Sequence, residues 1–129
     1  MVVHWSDRYI GKPYITGVAD CASLAIEVVR DRQGRGIEVP VEHSAHYLGQ
    51  SKQILRHKDD LADKIDAPED GSPALFYGRG RLCHIGVMCW IANEWWVLHA
   101  DQVSGFVIRQ RLRDMTRVLY KLEGYYRWK

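Results

Sequence analysis

The chain has 129 residues, 47% of them hydrophobic and 26% charged, with eighteen Lys and Arg against sixteen Asp and Glu for a formal charge of +2. That length suits one domain over residues 1–129, that balance excludes a disordered chain, and so small a charge gives no reason to expect nucleic acid as a partner. Nowhere does an apolar run approach the roughly twenty residues that cross a bilayer, and residues 1–9 lack the basic-then-apolar layout of a secretory signal, so synthesis in the cytoplasm and no membrane span are expected.

Taken in chain order, residues 1–19 set Gly11, Pro13 and Gly17 among aromatics and are predicted to be irregular. Ala22, Ala25, Ile26 and Val29 then recur at i, i+3, i+4 and i+7, which predicts a helix over 20–32 with Asp20 as its cap and Gly34 and Gly36 as its stop. Residues 37–41, around Pro40, are predicted to be extended, and Ala45, Leu48 and Leu55 lie along one side of a second predicted helix over 42–56. The polar stretch 58–73 carries turn signals at 68–71 and reads as a loop with a short helix around 61–65. Residues 74–77, 82–91, 94–100 and 106–109 are β-branched or aromatic runs parted by breakers at 78–80, 92–93 and 104–105, the pattern of an antiparallel meander. Tyr120 and residues 125–128 predict a last strand, so the whole reads as α+β, with N-terminal helices packed on an antiparallel sheet of about five strands.

Three cysteines, Cys21, Cys83 and Cys89, cannot all pair with one another, and none has the close spacing of a zinc or redox motif, so at least one lies outside any disulfide. A thiol attacks only as thiolate, and Cys21 follows Asp20 at a predicted helix start, where backbone N–H groups and the helix dipole favour negative charge. A base is the second requirement. Alternation in the strand over 82–91 puts Cys83, Ile85, Val87 and Cys89 on one face, expected to be core, and His84, Gly86, Met88 and Trp90 on the other, with Gly86 leaving room beside His84 for an approaching side chain. The next strand has Trp95, Val97 and His99 on one face, and a tight turn at 92–93 brings His99 toward His84, where a second imidazole can orient the first.

Taken alone, Cys21 is better read as a small buried residue, and it is the ordered set with His84 and His99 that turns it into a nucleophile. His99 read alone is a half-buried strand residue, and His43, His46 and His57 read as solvated. Cys21, His84 and His99 also have the ligand types of a metal site, which stands as an alternative. Trp90, Trp95 and Trp96 read as core more than as a stacking surface, and Arg109, Arg111, Arg113 and Arg117, interrupted by Asp114, read as a solvated face or as one that meets an anionic polymer.

These residues together resemble the NlpC family of cell-wall cysteine peptidases, also written NlpC/p-sixty, which has a compact papain-like fold. The lead-in YIGKPYITG over 9–17 is similar to the family's own, and Asp20-Cys21-Ala22-Ser23-Leu24 resembles its Asp-Cys-Ser-Gly-Leu nucleophile motif. Glu69-Asp70-Gly71 followed by Ala74-Leu75-Phe76-Tyr77 resembles its Pro-Gly-Asp turn and next strand, and His84-Ile85-Gly86-Val87 and Leu98-His99-Ala100 resemble its last two motifs, in the same order. The chain departs from the pattern where only Val18 and Ala19 separate Gly17 from Asp20, where Ala22 and Ser23 replace the usual Ser and Gly, and where Ser72-Pro73 stands in place of the turn's Asp.

The resemblance implies Cys21 as nucleophile, His84 as base, His99 as the group orienting it, and Tyr14 with Asp20 at the oxyanion and substrate side. It implies a peptidoglycan stem peptide as substrate, such as one with a D-glutamyl–diamino acid bond, and no metal or other cofactor. The closing Glu123-Gly124-Tyr125-Tyr126-Arg127-Trp128 is similar to the ends of short phage and prophage members, which implies phage tail proteins as partners and action at the cell wall. The alternative from another class is a catalytically inactive tail component or wall-binding module.

Overall fold

Asp20 has extended backbone angles, and its carboxylate accepts from the Ser23 N–H at 3.1 Å and from the Ser23 hydroxyl at 3.0 Å, so the chain enters the helix α1 (Cys21–Gln33) on a capped turn. At the other end Gly34 adopts φ +67° and its N–H bonds the Arg30 carbonyl, a left-handed stop that suits a residue without Cβ. Both ends fall where the sequence predicts them. The computed structural model describes residues 3–15, 20–38, 55–78 and 80–129.

After α1 come a short helix α2 (Lys58–Leu61) and strands β1 (Ala62–Ile65), β2 (Pro73–Gly78), β3 (Arg81–Ile91), β4 (Glu94–Asp101), β5 (Phe106–Arg111) and β6 (Tyr120–Trp128). Turns of 3-10 helix occupy Trp5–Tyr9 and Leu112–Val118. The strands form one six-stranded antiparallel sheet in the order β1-β6-β2-β3-β4-β5. The fold class is therefore α+β with an antiparallel sheet, as expected. β2 to β5 are the predicted meander, and the C-terminal strand is inserted between β1 and β2 instead of lying at an edge.

Alternation divides the sheet into two unlike faces. On one, Leu75, Ile85, Val87, Cys89, Leu98, Ala100 and Val107 join the buried Ala22, Leu24, Ala25, Val28 and Val29 of α1 in a single apolar cluster. On the other, Ala74, Phe76, Met88 and Val97 join Met115 of the second 3-10 helix, with Leu112, Tyr120 and Leu122 packed around them. Because both faces are covered at its centre, β2 reads as a continuous apolar run at its start, with residues 73–76 all buried. Among the described residues no helix is long and apolar enough to cross a membrane.

Several expectations are corrected. Residues 62–65 are a strand, not part of a helix, because β6 supplies a pairing partner from Ala62↔Trp128 to Ile65↔Tyr125 that local propensity could not signal. The lead-in is not wholly irregular: His4 caps the first 3-10 helix, Tyr9 donates to Asp31 at 2.6 Å, and Gly11, Lys12 and Tyr14 hydrogen-bond along the edge of β5. Cys83 is exposed instead of core, since the register of β2 and β3 shifts between Phe76 and Tyr77 and residue 83 lies at that irregular end. Ile37 and Glu38 form no strand, and the rest of the predicted extended piece, like 42–54 of the second helix with His43 and His46, lies outside the described residues; Leu55 and Arg56, its last two residues, are helical. His57, read as solvated, precedes α2 and is half-buried, with its Nδ1 at 3.7 Å from Asp60.

The β3–β4 connection is the two-residue turn the sequence predicts, with φ +51° at Ala92 and +61° at Asn93. Asn tolerates that conformation, whereas an Ala in it is strained by roughly 1–2 kcal/mol. We expect Ala92→Gly to raise unfolding free energy by about 1 kcal/mol in urea titrations, and a loss of stability would show that the turn is not strained.

Candidate active site

β3, β4 and β5 each contribute a polar side chain to a row on the face opposite α1. The pairs Phe76↔His84, His99↔Ile108 and Val97↔Gln110 put His84, His99 and Gln110 on that face together. His84 Nε2 lies 2.9 Å from His99 Nδ1, and His99 Nε2 lies 2.8 Å from Gln110 Oε1, so the three form an unbroken hydrogen-bonded row across three strands. The two imidazoles meet nearly at right angles, with centroids 4.9 Å apart. The sequence expectation that the 92–93 turn brings His99 to His84 is met in this geometry.

Tyr120, the first residue of β6, stacks on His84 with centroids 4.2 Å apart and planes 12° from parallel. Its position follows Leu119, which holds φ +69° at the end of the second 3-10 helix, and that left-handed residue turns the chain back over the histidines. The Tyr120 hydroxyl is pushed up to about 12, by burial first and then by the negative charges that Asp101, Cys83, Cys21 and Tyr14 would carry. Tyr14 is raised likewise, by burial and then by Cys21 and Asp20. Tyr120 is thus the meeting point of the two halves of the candidate site: its ring covers His84, and its hydroxyl lies within the electrostatic reach of Cys21 and Tyr14.

Cys21 is the first residue of α1 and belongs to the cluster on the helix side of the sheet, where 6% of its surface is exposed. Asp20, buried beside it, is committed to capping through Ser23. A small depression of about 70 Å³ opens at this helix start, lined in part by Lys12, Asp20, Ser23, Glu27 and Val107, with Lys12 and Glu27 paired at 2.6 Å. Gly86 does not leave open space: a Cβ there would collide with Val97 Cγ1 and lie 3.1 Å from the Phe76 ring. Its lack of a side chain serves the packing of Val97 and Phe76 on the histidine face.

Two members of the arrangement have no role in the sequence reading. Gln110 lies one residue past the predicted end of β5, and only the register of β4 with β5 connects it to His99. Tyr120 is read as part of a final strand, but its contact with His84 depends on β6 lying beside β2. Of the arginines read as a solvated face, Arg113 and Arg117 are exposed, whereas Arg109 is largely covered and bonds Asp7 at 2.5 Å and Ser6 at 2.7 Å; Arg111 and Arg113 flank Glu94 at 3.5 and 3.2 Å. Trp90 is exposed and Trp95 and Trp96 are half-buried against the core, with Arg111 over the Trp96 ring. Among the described residues no group of three or more His, Cys, Asp or Glu is arranged to hold a metal ion.

Comparison of the chain with protein-family models, with curated proteins and with solved structures returns no match.

Burial makes the row neutral. His84 is pushed down to about 3 from an ordinary 6.5 by desolvation first and by His99 second, with Asp101 pulling the other way. His99 is lowered too, by desolvation, against opposing pulls from Gln110 and Asp101. An unfolded chain therefore takes up a proton on His84 as pH falls below about 6.5 and the folded protein does not, and the lowering of His99 acts in the same direction, so acid favours unfolding. Unfolding free energy is expected to fall between about pH 6.5 and 5, above the range of the lowered Asp7, Asp31 and Glu69 carboxylates, by up to roughly 1.4 kcal/mol per pH unit for His84, with His99 adding in the same sense. Urea titrations across that window should show the slope and His84→Gln should reduce it; a slope of opposite sign would mean that His84 is protonated in the folded state.

Proposed function

We propose that the protein is a cysteine hydrolase of NlpC type, with Cys21 as nucleophile, His84 as base and His99 as the group orienting that base, acting on amide bonds in peptidoglycan stem peptides. The observation that carries this reading is the buried row from His84 through His99 to Gln110, stacked under a tyrosine whose hydroxyl is within the field of Cys21. Two neutral imidazoles in direct hydrogen bond are costly to bury unless their directionality is used or fully satisfied, and orienting a base uses it.

The chemistry differs in one respect from a resting thiolate–imidazolium pair. Burial favours neutral His84, and the Asp20 carboxylate shares the helix start with Cys21, opposing a standing negative charge there even as the helix end favours one. The thiol proton is then transferred to His84 as sulfur attacks the carbonyl carbon. Backbone N–H groups at the helix start and the Tyr14 hydroxyl receive the developing oxyanion. His84 passes the proton to the leaving amine, the C–N bond breaks, and a thioester remains on Cys21. Water, deprotonated by His84, cleaves that thioester and restores the thiol. No cofactor enters the scheme.

The wall-peptide substrate and delivery by a phage tail rest on the ordered motifs from Tyr9 to Ala100 and on the closing segment. A second reading, an inactive tail component or wall-binding module, is favoured by one observation: Cys21 is nearly buried in the helix-side cluster while His84 is on the opposite face. A thiol probe separates them, since a Cys21 able to attack a carbonyl is also alkylated by the probe, whereas a structural thiol stays inert.

Cys21→Ala and His84→Ala are expected to abolish release of peptide products from purified wall fragments, and His99→Ala to lower the rate roughly 10²-fold, the lower end of what general-base catalysis contributes. Mass spectrometry of the digests is the measurement. Equal product from wild type and Cys21→Ala would remove the proposal.

A further inference from the structure

The far end of the histidine row has a direction that the two rings alone do not set. A neutral imidazole has one N–H and one lone pair, so a row of two can point either way. Gln110 presents its amide oxygen, which only accepts, to His99 Nε2 at 2.8 Å. The proton of His99 must then reside on Nε2, leaving Nδ1 to accept. His84 Nε2, 2.9 Å away, must donate to it, which leaves the lone pair of His84 on Nδ1. An amide turned the other way would donate to His99 Nε2, drive both ring protons onto Nδ1, and put an N–H where a base needs a lone pair.

We infer that Gln110 is a positioning residue that fixes the tautomers of both histidines, so that His84 Nδ1 is the atom able to take a proton from the nucleophile. The inference rests on the proposed hydrolase for its purpose but not for its geometry. Gln110 is suited to the task because its side chain is anchored on β5 opposite Val97 and is half-buried, beyond the fully enclosed His99. Since Gln does not titrate, the direction it sets holds at every pH at which the rings are neutral, which an Asp or Glu in that position would not guarantee. Asp101, the other polar group that acts on both rings, pulls each toward the charged form but makes no hydrogen bond to either among those of the described residues.

The test is the protonation pattern of the ring nitrogens, read by long-range proton–nitrogen correlation spectra of the full ¹⁵N-labelled chain near neutral pH. Wild type is expected to carry the proton on Nε2 of both His84 and His99. Gln110→Met, similar in length without donor or acceptor, should populate the other tautomer in both rings, whereas Gln110→Glu, which can only accept, should keep the wild-type pattern. A proton on Nδ1 of either ring in wild type, or an unchanged pattern in Gln110→Met, would overturn the inference. Should Gln110→Met fail to fold, a proton on Nδ1 of either ring in wild type or in Gln110→Glu still overturns the inference. On wall fragments, Gln110→Met is expected to lower kcat roughly 10- to 100-fold with KM unchanged, by analogy with the loss seen when the orienting partner of a metal-bound histidine is removed. If Cys21→Ala digests as well as wild type, the hydrolase reading fails while the spectra still decide the tautomers.

Discussion

A side-chain hydrogen bond from one strand to the next needs both side chains on the same face and within diagonal reach, and the row His84–His99–Gln110 requires this twice, since His99 pairs with Ile108 and Gln110 with Val97. A slip of one residue in either pairing would turn a histidine or the glutamine to the other face of the sheet. Register is therefore the constraint on which the candidate site depends, and it is pinned by turns. Ala92 and Asn93 close β3 onto β4 with two residues of positive φ, and Gly105, at φ +84°, returns its N–H to the Asp101 carbonyl at 2.9 Å to close β4 onto β5. The Asp101 carboxylate adds a bond to the Ser104 N–H at 3.0 Å. The site residues take their alignment from these connections more than from contacts with one another.

Burial gives the row its chemistry. The apolar layer around it, with Phe76, Met88, Val97 and Met115, removes the water that would otherwise solvate an imidazolium, so both rings are held neutral. Neutral rings in an enclosed place must satisfy their N–H groups on one another, and the row does so until it reaches half-buried Gln110. The same enclosure explains why Gly86 has no side chain: the space near it is used by Val97 and Phe76, which form the walls of the row.

Parts of the chain distant in sequence complete the arrangement. The first 3-10 helix is tied to α1 by Tyr9 on Asp31 and to β5 by Arg109 on Asp7 and Ser6, which fixes the lead-in that carries Tyr14. Exposed ion pairs such as Arg8–Asp31 add little to stability by themselves, but Tyr9 is almost wholly buried and anchors the segment. At the other end of the chain, insertion of β6 between β1 and β2 brings Tyr120 over His84. Helix-side thiol and sheet-borne imidazole are thus related through two tyrosines supplied by opposite ends of the chain.

Elements whose signals lie among neighbouring residues are legible in the amino-acid order alone. Asp20 and Gly34 bracket α1 because capping and left-handed stops depend on neighbouring residues alone, and the meander with its turn at 92–93 follows from alternation and turn chemistry within a few residues. From these, the meeting of His84 and His99 was already legible. The remainder emerges on folding: that residues 62–65 are a strand, that β6 lies inside the sheet, that Cys83 is exposed past an irregular pairing, and that Gln110 and Tyr120 join the histidines. Each of these depends on which strand lies beside which, and strand neighbours are chosen by long-range hydrogen bonding and burial that no window of adjacent residues contains.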